Sequence, residues 1–177
     1  MPAMRIWRTG ALLLVAAGVC AGQNIPSVKT KALDDSQVVL PKAGSRQVLI
    51  LILGFSHKGG EVCGVWNKKV AADYGEDAGV LYYGVPVLQD APSFVRPMIV
   101  HGMKKGATAK ELAHMAPVYA DEDVWKKLVG YSASDDAYLL VSDASGKVLW
   151  QGHGPYTDGM FAELKKAVEG LKEKERH

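Results

Sequence analysis

Cysteine is nearly absent from this sequence, with two residues, Cys20 and Cys63, in a chain of 177. If Cys20 leaves with an N-terminal leader, one thiol remains, and neither an internal disulfide nor a self-contained dithiol can be built on it. Charge of one sign is also lacking: 21 Lys and Arg stand against 19 Asp and Glu. That balance gives no footing for phosphate-backbone binding, which needs a clustered surplus of Lys and Arg, so no nucleic-acid partner is expected. The apolar stretch from Gly10 to Val19 is far shorter than the roughly 20 residues of a membrane span. The nucleophile-elbow, P-loop and HExxH patterns are missing, as are internal repeats and low-complexity tracts.

What is present begins with the layout of a secretory signal over residues 1–21. Arg5 and Arg8 precede the apolar centre Leu12, Leu13, Leu14 and Val15, and small residues follow around Ala21. Cleavage after Ala21 is the expectation, with a retained anchor or a lipid anchor on Cys20 as alternatives. The protein is therefore expected to be exported, periplasmic or secreted, with no membrane span in the mature chain. Loss of Arg5 and Arg8 would reduce the formal charge of +2 to zero. The remainder suits one domain.

Residues 22–46 carry Pro26, Pro41, Asp34 and Asp35 without a sustained apolar period, and read as an extended lead-in with a short strand at Gln37 to Leu40. The domain proper is expected over residues 47–177. Val48 to Phe55 is an apolar, β-prone run suited to a strand covered on both faces. After the pair Gly59 and Gly60, the residues Val62, Val65, Trp66 and Val70 mark one face of a helix that Gly75 ends. Val80 to Leu88 is a second strand, parallel to the first through a right-handed crossover. Between Pro92 and Tyr119 the pattern is weaker, and Pro97 delays or kinks a helix through Phe94, Met98 and Val100. Thr108 and Glu111 form a capping-box pattern for a helix from Ala109 to about Met115, and another short helix is expected from Asp121 to Val129. Ala137 to Val141 and Lys147 to Gln151 read as a hairpin around the turn Asp143 to Gly146. A final helix starts near Asp158, with Phe161, Leu164, Val168 and Leu171 on one face.

Cys63 is the candidate catalytic residue, because a helix N-terminus lowers a thiol's pKa and His57 and Lys58 would add positive charge. The alternative is a buried, inert thiol. His57, Lys58 and Gly60 are the candidate binding residues. His57, Cys63, Met98, His101, Met103, His114 and Met115 are of the types that hold copper, but no tight spacing links them, so no metal and no cofactor are expected. His153, within Gly152-His153-Gly154, reads as a loop residue in an ordinary surface role. Trp66, Trp125, Trp150, Tyr82, Tyr83, Tyr131 and Tyr138 read as core or half-buried sheet residues.

The element order, strand–helix–strand, helical insert, hairpin, helix, is that of the thioredoxin-like fold. GKVLWQGHGPYTDGMFAELKKAVEGL (Gly146 to Leu171) and RPMIVHGMKKG (Arg96 to Gly106) resemble the thioredoxin-like family typified by the mitochondrial ATP-synthase assembly factor. LGFSHKGGEVC (Leu53 to Cys63) is similar to the Sco copper-chaperone site, with Lys58 in place of its first cysteine and no later histidine. Against the thioredoxin Cys-x-x-Cys pattern, Gly60 stands where the nucleophile would be and Cys63 where the resolving cysteine would be. The proline and threonine that peroxiredoxins place ahead of their reactive cysteine are missing. Together these resemblances imply an α/β thioredoxin-like protein that binds or assembles a protein client without thiol catalysis. The alternatives they leave are a one-cysteine oxidoreductase or peroxidase using Cys63, and a copper-handling protein.

Overall fold

The run VLILILG forms a strand because every residue in it is shielded on both sides, and in the computed structural model Val48–Gly54 is buried throughout. The structure describes residues 22–42 and 47–175. The leader expected over residues 1–21 lies outside these, as do the end of the lead-in and the last two residues.

A hairpin comes first: β1 (Val28–Lys31) and β2 (Gln37–Leu40) pair antiparallel as a separate two-stranded sheet. The expected strand at Gln37 to Leu40 is present, but the lead-in is more ordered than its composition suggests. Its turn is closed by Asp34, whose carboxylate accepts from the Ser36 amide at 3.0 Å and hydroxyl at 2.6 Å, with Asp35 at φ 70°. Val38 and Leu40 turn inward while Gln37 and Val39 face water, an alternation that the apolar run VVL does not mark by itself.

The main sheet has four strands in the order β4-β3-β5-β6: β3 (Val48–Gly54), β4 (Val80–Pro86), β5 (Ala137–Ser142) and β6 (Val148–His153). β4 runs parallel to β3, whereas β5 and β6 are antiparallel to their neighbours. Between β3 and β4 lies α1 (His57–Tyr74). The insert holds α2 (Arg96–Lys104), α3 (Ala109–Ala113) and α4 (Glu122–Leu128), and α5 (Asp158–Glu175) closes the chain. The outer edge of β4 is covered, since Gly84 and Val87 bridge in parallel to Met115 and Val118.

Two apolar cores sandwich this sheet. On one face Val48, Ile50, Ile52, Leu139 and Val141 meet Cys63, Trp66 and Val70 of α1 and Leu164 and Val168 of α5. On the other, Leu49, Leu51, Leu53 and Leu140 meet the hairpin residues Val38 and Leu40, then Val118, Trp125 and Leu128 of the insert.

Three expectations need correction. First, α1 begins at His57, before the glycine pair, because Ser56 caps it: the Ser56 hydroxyl accepts from the Gly59 amide at 2.9 Å. Gly59 and Gly60 therefore lie in its first turn. Second, its buried stripe is Gly59, Cys63, Trp66, Val70 and Tyr74, while Val65 is 48% exposed. Trp66 and Val70 are on the buried face as expected, whereas Val65 is not, and Cys63 and Tyr74 complete the stripe. Third, of the two effects expected of Pro97, delay occurs and kinking does not: α2 starts at Arg96 rather than at Phe94, and Pro97 stands in its first turn, where a missing amide costs nothing. The capping box of α3 is present as expected, with Thr108 and Glu111 satisfying each other's backbone amides.

Candidate functional site

The parallel pair β3 and β4 ends at the same rim from which α1 starts, so this rim gathers the loop before α1, the loop before β5 and the end of β6. Ser56 joins the first two: besides capping α1, its hydroxyl donates to the Asp135 carboxylate at 3.3 Å. The ammonium of Lys58 lies 3.7 Å from the same carboxylate, with both side chains mostly in water, which makes the pair worth little in stability.

Gly59 sets how closely these loops approach. A Cβ built there would lie 2.9 Å from the Ser134 carbonyl oxygen and 3.0 Å from that of Asp136. Backbone cannot yield as a flexible side chain can, so this is a place for glycine. Gly60, one residue on, meets nothing within 4 Å and is exposed.

The loop before β5 is pinned by Tyr138. Its buried hydroxyl accepts from the amides of Ser132 and Ala133 and donates to the Ala133 carbonyl, each at 2.9 Å. Phe55 packs edge-on against Tyr131 and Tyr138, and the Lys126 ammonium sits 5.0 Å above the Tyr131 ring. His153, at the end of β6, stacks on Tyr138 and brings Nδ1 to 2.8 Å from the Asp136 carboxylate. A carboxylate accepts, so in this contact Nδ1 is the donor. The adjoining backbone is held to α1 by Trp66, whose indole N–H donates to the Gly154 carbonyl at 3.0 Å.

Cys63 lies one turn further along α1 and faces inward. It is 6% exposed, and its thiol donates to the Leu53 carbonyl at 3.3 Å. Burial pushes its pKa up from 9.0 to about 12, against the smaller opposing effect of a backbone hydrogen bond. The helix N-terminus does not compensate, since Cys63 stands well inside the helix and the dipole's influence fades within the first turn.

The other sequence candidates scatter. His57 is 91% exposed and lies 3.7 Å from Glu61. His114 stacks on Tyr82 with ring centroids 4.0 Å apart and places Nδ1 2.8 Å from the Tyr82 carbonyl. Met98 and His101 are exposed on α2, and Met115 bridges to Gly84 at the opposite edge of the insert. Among the described residues, no three of His, Cys, Asp and Glu gather as a metal centre. Asp135, Asp136 and the partnership of His153 were missed by sequence reasoning. The only signal was Asp135-Asp136 immediately before a strand and a histidine flanked by glycines, and neither spacing says that the two meet.

Solved structures show the same arrangement. The thioredoxin domain of a thiol-disulfide oxidoreductase from Bacteroides vulgatus aligns with a TM-score of 0.55 at 17% identity, over 84% of this chain and 98% of that one. The fold is thioredoxin-like. A pneumococcal exposed lipoprotein thioredoxin from Streptococcus pneumoniae aligns with a TM-score of 0.55 at 13% identity, covering 81% of this chain and 99% of its own. BsSco, a member of the Sco family of cytochrome c oxidase assembly proteins, gives 0.53 at 12% identity, covering 84% and 95%. No protein-family model and no curated protein matches the sequence. Among the described residues, no helix is long and apolar enough to cross a membrane.

Proposed function

We propose that this protein is an exported thioredoxin-fold binding or assembly protein that holds a protein client at the rim of Phe55, His57, Lys58 and the loop before β5, without thiol chemistry. The observation that carries this reading is the state of Cys63. A thiol nucleophile acts as its thiolate and must be reachable, whereas this one is buried, donates to a backbone carbonyl and has its pKa pushed up to about 12. Gly60 occupies the position of an attacking cysteine and offers no reactive group. The rim itself supplies fixed hydrogen-bonding groups and a partly exposed aromatic surface on a rigid sheet, which suit binding.

The test is the rate at which Cys63 in the folded protein reacts with a thiol probe from pH 6 to pH 10, set against the unfolded chain. Protection until unfolding is the expected result. Fast labelling of the folded protein with a midpoint below about 8.5 would instead make Cys63 a working nucleophile. A complementary check uses Cys63→Ser in a strain lacking the native gene. Retained function is expected, and a folded but inactive serine variant would defeat the non-thiol reading.

A further inference from the structure

α2, though nine residues long, buries none of its side chains. Phe94 just before it and Met98 within it are 83% and 69% exposed. A helix this short is marginal in water by itself, so contacts at its ends have to hold it. Those contacts converge on a buried carboxylate.

Glu122, at the start of α4, is 4% exposed although charged. One carboxylate oxygen pairs with the Lys126 ammonium at 2.7 Å, and the other accepts from the Asp90 amide at 3.1 Å. The Glu122 amide donates to the Gln89 side-chain oxygen at 2.8 Å. From the opposite side Arg96, the first residue of α2, donates to the Gln89 carbonyl at 2.8 Å and to the Ala91 carbonyl at 2.9 Å. The loop that leads into α2 is thus gripped by α4 on one flank and by α2's own arginine on the other. At the far end Lys104 and Asp35 lie 4.0 Å apart, with Asp35 largely in water, a weak tether to the hairpin. Backbone strain marks the grip as well, since Asp121, immediately before Glu122, has φ 60°.

We infer that residues 89–104 form an arm that opens as a unit, separately from the sheet, with Glu122 as its latch. None of residues 89–104 is buried, so among the described contacts opening breaks the bonds of Glu122 to Gln89 and Asp90, the Lys126–Asp90 and Lys104–Asp35 pairs, the Arg96–Tyr119 contact and the half-buried contacts of Val95, Ile99, Val100 and Met103. Once open, the arm presents those four side chains together with Phe94 and Met98. This conclusion is independent of what the rim binds.

The experiment is native-state hydrogen exchange by mass spectrometry on the full chain, comparing wild type, Glu122→Gln and Arg96→Ala. In wild type, amides of α2 are expected to exchange at least about 100-fold faster than those of β3 and β5, because they open locally rather than with the global transition. Glu122→Gln keeps the shape but loses the charge, and should speed exchange across residues 89–104 about tenfold further, the cost of one charge-assisted hydrogen bond. Arg96→Ala removes the arm's contact with the Tyr119 ring, 5.6 Å away, together with the bonds that shape residues 89–91 for Glu122, and should act likewise, which keeps the test decisive if the Glu122 variant folds poorly. Protection of α2 equal to that of β3 overturns the inference. So does an Arg96→Ala variant, or a folded Glu122→Gln variant, whose arm exchange is unchanged or rises only in parallel with the sheet.

Discussion

The sheet with α1 and α5 and the insert between β4 and β5 are built on opposite economies. In the first, β3 and β5 are buried along their whole length and α1 and α5 each lay a continuous stripe against them. In the second, α4 sends Trp125 and Leu128 into the other core, but α2 buries none of its residues, so around α2 hydrogen bonds and the half-buried Glu122–Lys126 pair take over much of what apolar contact does elsewhere. The difference teaches where each kind of damage should be felt. Apolar burial is strong and non-directional, whereas a hydrogen-bonded attachment holds one geometry and gives way locally.

The largest expected effect is in the sheet region. Trp66 is fully buried between α1 and the sheet, so Trp66→Ala should cost about 3–5 kcal/mol in urea denaturation. A loss below about 1 kcal/mol would mean that the two regions do not differ as described.

Next comes the contrast between two adjacent glycines. Gly59→Ala pushes a methyl to within 2.9 Å of a backbone oxygen and should destabilise by about 1–3 kcal/mol. Gly60→Ala meets open space in a helix and should stabilise by up to about 1 kcal/mol. Equal effects at both positions would remove the argument that the loop before β5 closes against α1.

A smaller effect should appear at alkaline pH. The folded pKa of Cys63 is raised above its ordinary 9.0 to about 12, so the folded protein keeps a proton that the unfolded chain releases. The resulting stability is complete below pH 9.0 and is lost as pH climbs toward 12. Cys63→Ala should therefore flatten the fall in urea midpoint between pH 9 and pH 11. Tyr74, whose hydroxyl is also pushed up to about 12 chiefly by burial, would leave some alkaline sensitivity in place. Parallel curves for wild type and variant would contradict a buried thiol.

At the small end stand the exposed apolar residues. Phe94→Ser, on the insert, and Val65→Ala, on the outer face of α1, should each shift thermal stability by less than about 0.5 kcal/mol. A large loss at Phe94 would show that the insert hides a core of its own.

Legibility in the sequence followed the same division. The strands beginning at Val48, Val80 and Ala137, the helix face of Phe161, Leu164, Val168 and Leu171, and the Thr108–Glu111 cap were all readable, because burial and capping leave periodic or fixed-spacing marks. The stripe on α1 was read correctly at Trp66 and Val70 but wrongly at Val65, which faces water, and it missed Cys63 and Tyr74. The hairpin's first strand, Val28–Lys31, escaped notice because VKTK carries only one apolar residue.

The sequence by itself determined the element order and hence the thioredoxin-like architecture, because these depend on local pattern and composition. The tertiary structure alone decided that Cys63 faces Leu53, that Gly59 meets the loop before β5, that His153 pairs with Asp136 and that Glu122 grips the loop into α2. Each of these joins residues from different elements, and no spacing along the chain encodes a distance that exists only after the chain has packed.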